Sequence, residues 1–190
     1  GGAETLVGDE NPDTLTAVQG PTAVDILIGG RGDDLLIGDG GPDVLLGGEG
    51  DDALTVPSLD FQRLLGGNGT DTLRIGGVDL SLDLTVIPDN KIVDIEEIDM
   101  TGAGDNTLTL GIQEVLNISS HSNTLIVYRD SGDTVDPGTG WTQQPEEKID
   151  GNWYEVYAHG AAVLKIEAPF TLYDFGDAPD PTYPTLLANN

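Results

Sequence analysis

Apolar positions along the first 75 residues fall in a nine-residue rhythm. Leu27, Leu36, Leu45 and Leu54 are evenly spaced, and each follows an aspartate by two residues: Asp25, Asp34, Asp43 and Asp52. Asp13 with Leu15 and Asp71 with Leu73 repeat the pair outside the strict spacing. The stretches 29–37, 47–55 and 66–74 follow the pattern G-G-x-G-x-D-x-U-x, where U is a large apolar residue, and 38–46 follows it with Asp39 in place of the second glycine. Each copy reads as a Gly-rich turn followed by a three-residue strand whose middle residue points inward. Two copies make one coil. The pattern predicts an all-β chain that begins as a right-handed parallel β-roll, or β-solenoid, over residues 1–75. Residues 17–19 read as an insertion. Residues 56–65 lack the glycines and read as half a coil, with a degenerate turn at 57–62 and a strand at 63–65.

Beyond residue 75 the Gly-Asp rule fades while short strands persist. Residues 78–86 alternate polar and apolar, as a half-buried strand does. Residues 92–100 supply further short strands. Residues 102–109 resemble a repeat with Asn106 in the aspartate position, and 122–126 and 131–135 do so more faintly. The expectation for 76–136 is a degenerate continuation of the solenoid with fewer or no metals. Ile112, Val115 and Leu116 have helical spacing, which predicts a short helix near 112–118 covering a coil. Over 137–170, strands at 141–143, 148–150, 153–157 and 162–166 predict a small antiparallel β cap, turning at Asp150-Gly151-Asn152 and His159-Gly160. The Pro-rich tail, 171–190, reads as a linker or the start of a truncated next module.

Charge gives this pattern its chemistry. The 190 residues carry 34 acidic and 7 basic side chains, a net charge of −27. A compact fold with that imbalance repels itself unless cations offset it. Nucleic acid is a poor partner and an anionic membrane surface is disfavoured, since both need clustered Lys and Arg. The absence of cysteine excludes disulfides and thiolate metal sites. No apolar run is long enough to insert in a membrane. Calcium fits instead: it takes six to eight oxygens from carboxylates and backbone carbonyls. The candidate ligands are Asp13, Asp25, Asp34, Asp43, Asp52 and Asp71 at the sixth position of a repeat, and Asp39 at the second. Turn carbonyls come from Gly30, Gly32, Gly41, Gly48, Gly50, Gly67 and Gly69. Glycines at positions one, two and four are expected to take positive φ. Turns alternate between two edges, so Asp34 shares an edge with Asp52, and Asp25 with Asp43. Asp13 and Asp71 fall on the Asp34 edge. At Asp25, Pro21 and Val24 replace turn glycines, which weakens the case for calcium there.

These repeats resemble those of the RTX family, secreted bacterial proteins with calcium-binding nonapeptides. The resemblance implies several calcium ions held by sixth-position aspartates and turn carbonyls, and folding once calcium is met outside the cell. The segments 95–110, 130–136 and 141 onward resemble regions of giant type I-secreted adhesins. That implies a structural segment of a bacterial surface protein, with flanking modules of the same large protein as neighbours. The opening Gly1-Gly2, in mid-repeat, fits a piece of a longer chain. Two other readings stand beside this one. Trp141 and Trp153 in the tail would serve a glycan- or partner-binding module, and Asp180-Pro181 matches the bond cut in calcium-dependent self-processing modules. No catalytic constellation accompanies either, so the expectation is a non-enzyme. Arg31-Gly32-Asp33 spells an integrin-type tripeptide, but the repeat pattern already accounts for Gly32.

Overall fold

The computed structural model describes residues 2–168, apart from 19, 21 and 103. Asp180-Pro181 and the Pro-rich tail lie outside the described residues. The first strands are β1 (Thr5–Val7), β2 (Thr14–Thr16), β3 (Ile26–Arg31), β4 (Leu35–Ile37), β5 (Val44–Glu49), β6 (Ala53–Val56), β7 (Arg63–Asn68) and β8 (Thr72–Ile75). They alternate between two parallel sheets, β1-β3-β5-β7 and β2-β4-β6-β8. Register places Leu6, Leu27, Leu45 and Leu64 in one row. Leu15, Leu36, Leu54 and Leu73 form the other. From Leu27 to Leu73 these leucines have no exposed surface. This N-terminal region is β-roll-like: the nine-residue rhythm delivers one leucine to each sheet in turn, and every side chain removed from water adds ~1.5–3 kcal/mol.

The chain continues through β9 (Ser81–Asp83), β10 (Ile92–Val93), β11 (Glu97–Asp99), β12 (Thr107–Thr109), α1 (Ile112–Ile118), β13 (Thr124–Tyr128) and β14 (Thr134–Asp136). Strand β10 extends the first sheet, and β11 and β13 extend the second. Strands β9, β12 and β14 form a third parallel sheet with its own apolar row, Leu82, Leu108 and Val135. In the repeats, equivalent aspartates such as Asp34 and Asp52 are 18 residues apart. Thr72 pairs with Glu97, so the return here takes 25. The added residues build the third sheet.

Residues 78–86 depart from the expected strand. Only Ser81–Asp83 pairs, while Val78 and Val86 are 65% and 74% exposed. The side chain of Asp83 accepts from the N–H and hydroxyl of Thr85, a local turn that ends the strand. At its other end Asp79 takes the left-handed conformation, with φ at 54°. Alternation alone therefore overstated the strand. Helix α1 packs on β10, β13 and the strand Ala162–Glu167, with Val115 and Ile118 buried.

The last strands are β15 (Thr142–Ile149), β16 (Asn152–His159) and β17 (Ala162–Glu167). Each is antiparallel to the next, and β17 joins the second sheet by pairing in parallel with β13. The sequence suggests two strands where β15 is one, irregular between Gln144 and Glu147. Pro145 lies inside that gap and has no N–H to give the ladder. Asp150 and Gly151 both have positive φ, the requirement of a tight two-residue hairpin turn.

Candidate metal centre

From Asp25 to Asp71, the aspartate that precedes each inward leucine spends one carboxylate oxygen on the backbone of the coil before it. Asp13 instead accepts the Asp9 N–H of its own turn with Oδ2. The Asp13 N–H donates to Asp34 Oδ1 at 2.8 Å, the Asp34 N–H to Asp52 Oδ1 at 2.8 Å, and the Asp52 N–H to Asp71 Oδ1 at 2.9 Å. The second oxygen of Asp34, Asp52 and Asp71 is buried without any hydrogen-bond partner. Three such oxygens, one per coil, line this edge.

The opposite edge holds Asp25 and Asp43. The Glu4 N–H donates to Asp25 Oδ1 at 2.7 Å, and the Asp25 N–H to Asp43 Oδ1 at 3.1 Å. Asp39 joins them, and oxygens of Asp25, Asp39 and Asp43 lie within 4.8 Å of one another. Asp25 Oδ2 and Asp39 Oδ1 are buried and unpartnered. Asp25 thus stands among carboxylates although Val24 replaces a turn glycine. The N–H of Gly20 donates to Asp39. Asp39 occupies a position that is glycine in the neighbouring repeats, which adds a third carboxylate.

The turn glycines divide by role, and this corrects the expectation that positions one, two and four share positive φ. Gly48 and Gly50, at positions two and four, do take it, at 132° and 130°. Gly30, Gly32, Gly67 and Gly69 follow the same rule. The first-position glycines Gly29, Gly47 and Gly66 do not, and are small for a different reason. A Cβ on Gly47 would stand 2.5 Å from the Gly66 carbonyl oxygen and would collide with Asp52 Oδ2. A Cβ on Gly29 would meet the Gly47 carbonyl oxygen and Asp34 Oδ2 in the same way. Glycine there lets a carboxylate oxygen and a carbonyl oxygen from the next coil approach one point. Gly41 is a second correction: positive φ falls on Gly40, at 98°. Pro42 biases the residue before it to extended backbone, so the left-handed step moves back by one.

Burial sets the electrostatics of the centre. It pushes the carboxyl of Asp52 up to about 6 and that of Asp71 up to about 7, and neighbouring carboxylates add to it. The backbone N–H groups of Asp34 and Asp52 offset only part of the rise. Asp43 and Glu96 are raised, also mainly by burial. A buried carboxylate with an unpartnered oxygen is costly unless a cation meets it. The donors are all oxygen, carboxylate and carbonyl, the set preferred by calcium and poor for softer metals. The residues fit calcium, and when bound it would neutralise the facing carboxylates.

Residues 22–54 are RTX calcium-binding nonapeptide repeats, in four copies. The comparisons with curated proteins and with solved structures found no match. The RTX repeats give part of this chain a calcium-binding structural motif, and such repeats are non-catalytic modules, consistent with a non-enzymatic protein. They are found in extracellular and secreted proteins in general. No helix among the described residues is long and apolar enough to cross a membrane.

Sequence reasoning missed Glu96. The Asp71 N–H donates to its Oε2 at 3.1 Å, and Oε1 is buried and unpartnered. A signal existed: Glu96 precedes the inward Ile98 by two residues, as each aspartate precedes its leucine. The third sheet has a ladder of the same form. The Leu80 N–H donates to Asn106 Oδ1 and the Asn106 N–H to Asp133 Oδ1, both at 2.8 Å. Asp133 Oδ2 accepts from the Asp130 N–H, so both its oxygens are engaged by protein.

The other motifs sit in ordinary surroundings. Arg31 pairs with Glu49 and Glu10, and Asp33 Oδ1 accepts from the Asp51 N–H, which fixes the tripeptide within the turns. Trp141 is half-buried and donates from Nε1 to the Pro137 carbonyl, while Trp153 is 45% exposed beneath Lys148.

Proposed function

We propose that this chain is a calcium-dependent folding segment of a large secreted bacterial surface protein of the adhesin type. The row of buried, unpartnered oxygens on Asp34, Asp52 and Asp71 carries this reading. Without calcium, charge repulsion along both edges opposes closure of the coils. With calcium, its binding free energy becomes folding free energy. In low-calcium cytosol the segment stays loose enough for type I secretion, and at extracellular calcium it rigidifies into a spacer between flanking modules.

The candidate ligands are Asp13, Asp25, Asp34, Asp39, Asp43, Asp52 and Asp71, together with turn carbonyls. Residues 1–75 act as the metal-bearing roll. Residues 76–136 continue it with fewer metals as a three-sided solenoid whose third sheet rests on the apolar row Leu82, Leu108 and Val135, and residues 137–170 cap it. The continuous parallel register from Leu73 through Ile98 to Val127 supports this division.

Small-angle scattering of the calcium-stripped chain, before and after calcium is added, tests the proposal. An unfolded chain of this length has a radius of gyration of roughly 45 Å, and folding brings it below half that. A compact particle of equal size in both states would refute calcium-dependent folding.

A further inference from the structure

The carboxylate row does not stop with the nonapeptides. Its last member, Glu96, belongs to the link between β10 and β11, well beyond the matched repeats. Glu96 is 8% exposed and Asp71 fully buried, and each keeps one oxygen without a hydrogen-bond partner. The carbonyl row extends in step. A Cβ on Gly29 would meet the carbonyl of Gly47, one on Gly47 the carbonyl of Gly66, and one on Gly66 the carbonyl of Asp94. The same Cβ on Gly66 would lie 2.6 Å from Asp71 Oδ2. Asp94 therefore stands where a first-position glycine stands in the preceding coils.

The link does this with no glycine-rich turn. Position one and position six of a repeat are five residues apart, whereas Asp94 and Glu96 are two apart. Asp94 makes the sharp step with φ at 53°. Glutamate, one methylene longer than aspartate, still reaches the Asp71 N–H. The side chain of Asp94 is occupied elsewhere, with Ser120 Oγ at 2.9 Å and His121 Nδ1 at 3.3 Å. Its main-chain oxygen is what faces the row.

We infer that Asp71, Glu96 and the Asp94 carbonyl form a terminal divalent-cation site, a calcium site by its donors, that clamps the β10–β11 link onto the end of the repeat array. The inference rests on the reading that the Asp34 edge holds calcium. The site differs from those within the repeats in taking its closing carboxylate from a non-repeat segment. Cation binding there couples the order of the non-repeat strands to the filling of the array.

Calcium stoichiometry by isothermal titration, paired with hydrogen exchange of the amides of residues 92–98, tests this on the full chain. Glu96→Gln keeps the acceptor for the Asp71 N–H and removes the charge. It is expected to bind one calcium fewer than the unsubstituted chain and to lose calcium-induced protection at 92–98, while β3 to β6 stay protected. Glu96→Asp, which keeps the charge and shortens the reach, guards against a folding defect. It is expected to weaken the last binding step while preserving calcium-induced β structure. Unchanged stoichiometry and unchanged protection at 92–98 in both variants would overturn the terminal site alone. If the unsubstituted chain binds no calcium, the edge reading fails and the terminal site falls with it.

Discussion

Asp52 reaches back one coil to accept the Asp34 N–H at 2.8 Å with Oδ1, and holds Oδ2 buried with no partner. The first oxygen ties one coil to the next, and the second is the one proposed to meet a cation. The two roles separate by substitution.

Asp52→Asn keeps the acceptor for the Asp34 N–H and replaces the unpartnered oxygen by an amide that can donate to the nearby Gly66 carbonyl. The metal-free fold should gain stability, on the order of 1–3 kcal/mol, the scale of an unsatisfied buried group relieved. Calcium should stabilise this variant less than it does the unsubstituted chain. Circular dichroism of the calcium-free chains and thermal melts across rising calcium check both signs. A uniform loss in both conditions would mean that the side chain matters only for packing.

The raised carboxyls of Asp52 and Asp71 fix a pH dependence. Their ordinary value is 3.8, and the folded values are about 6 and about 7. Between these limits the folded metal-free state holds more protons than the unfolded one, so its stability falls as pH rises from about 4 to about 7. Calcium competes with those protons, so its apparent affinity should rise over the same window. Calcium-stripped protein should show more β signal by circular dichroism at pH 5 than at pH 7.5, and calcium titrations should give the tighter apparent affinity at pH 7.5.

Gly47→Ala tests the close approach at the first position of a repeat. Its backbone has no positive φ, so the cost is the collision of Cβ with Asp52 Oδ2 and the Gly66 carbonyl. The expected loss is ~1–3 kcal/mol, as for overpacking. Gly2→Ala, where a Cβ meets nothing within 4 Å, is the matched control and should be neutral. Calcium-saturated thermal melts distinguish the two.

Leu45→Ala removes a fully buried member of the first leucine row. It should cost ~2–5 kcal/mol. Val86→Ala, at a 74% exposed position that the alternation places in a strand, should cost little. Chemical denaturation in calcium measures the contrast.

The roll was legible because its two signals, a leucine every ninth residue and an aspartate two positions earlier, are the residues that touch the core and the edge. What was missed lies where another constraint takes over. Pro42 shifts the left-handed step from Gly41 to Gly40, and the Asp83 turn cuts short the strand implied by Val78 to Val86. Pro145 leaves an irregularity where the sequence suggested two strands. Glu96 escaped because the link before it dispenses with glycine, although its spacing to Ile98 is that of the repeats. The third sheet was hidden for a related reason: Leu82, Leu108 and Val135 are 26 and 27 residues apart, and a period of that length shows only a few members in this chain.

On the proposed function, calcium closes the roll. Circular dichroism of calcium-stripped protein, titrated with calcium and in parallel with magnesium, tests it most directly. Magnesium demands a tighter octahedral shell and sheds water reluctantly, so it is the discriminating control. The expected result is a cooperative gain in β signal with calcium alone, weakened by Asp34→Ala or Asp52→Ala. A spectrum already rich in β structure before the titration, and unchanged by it, would contradict the account.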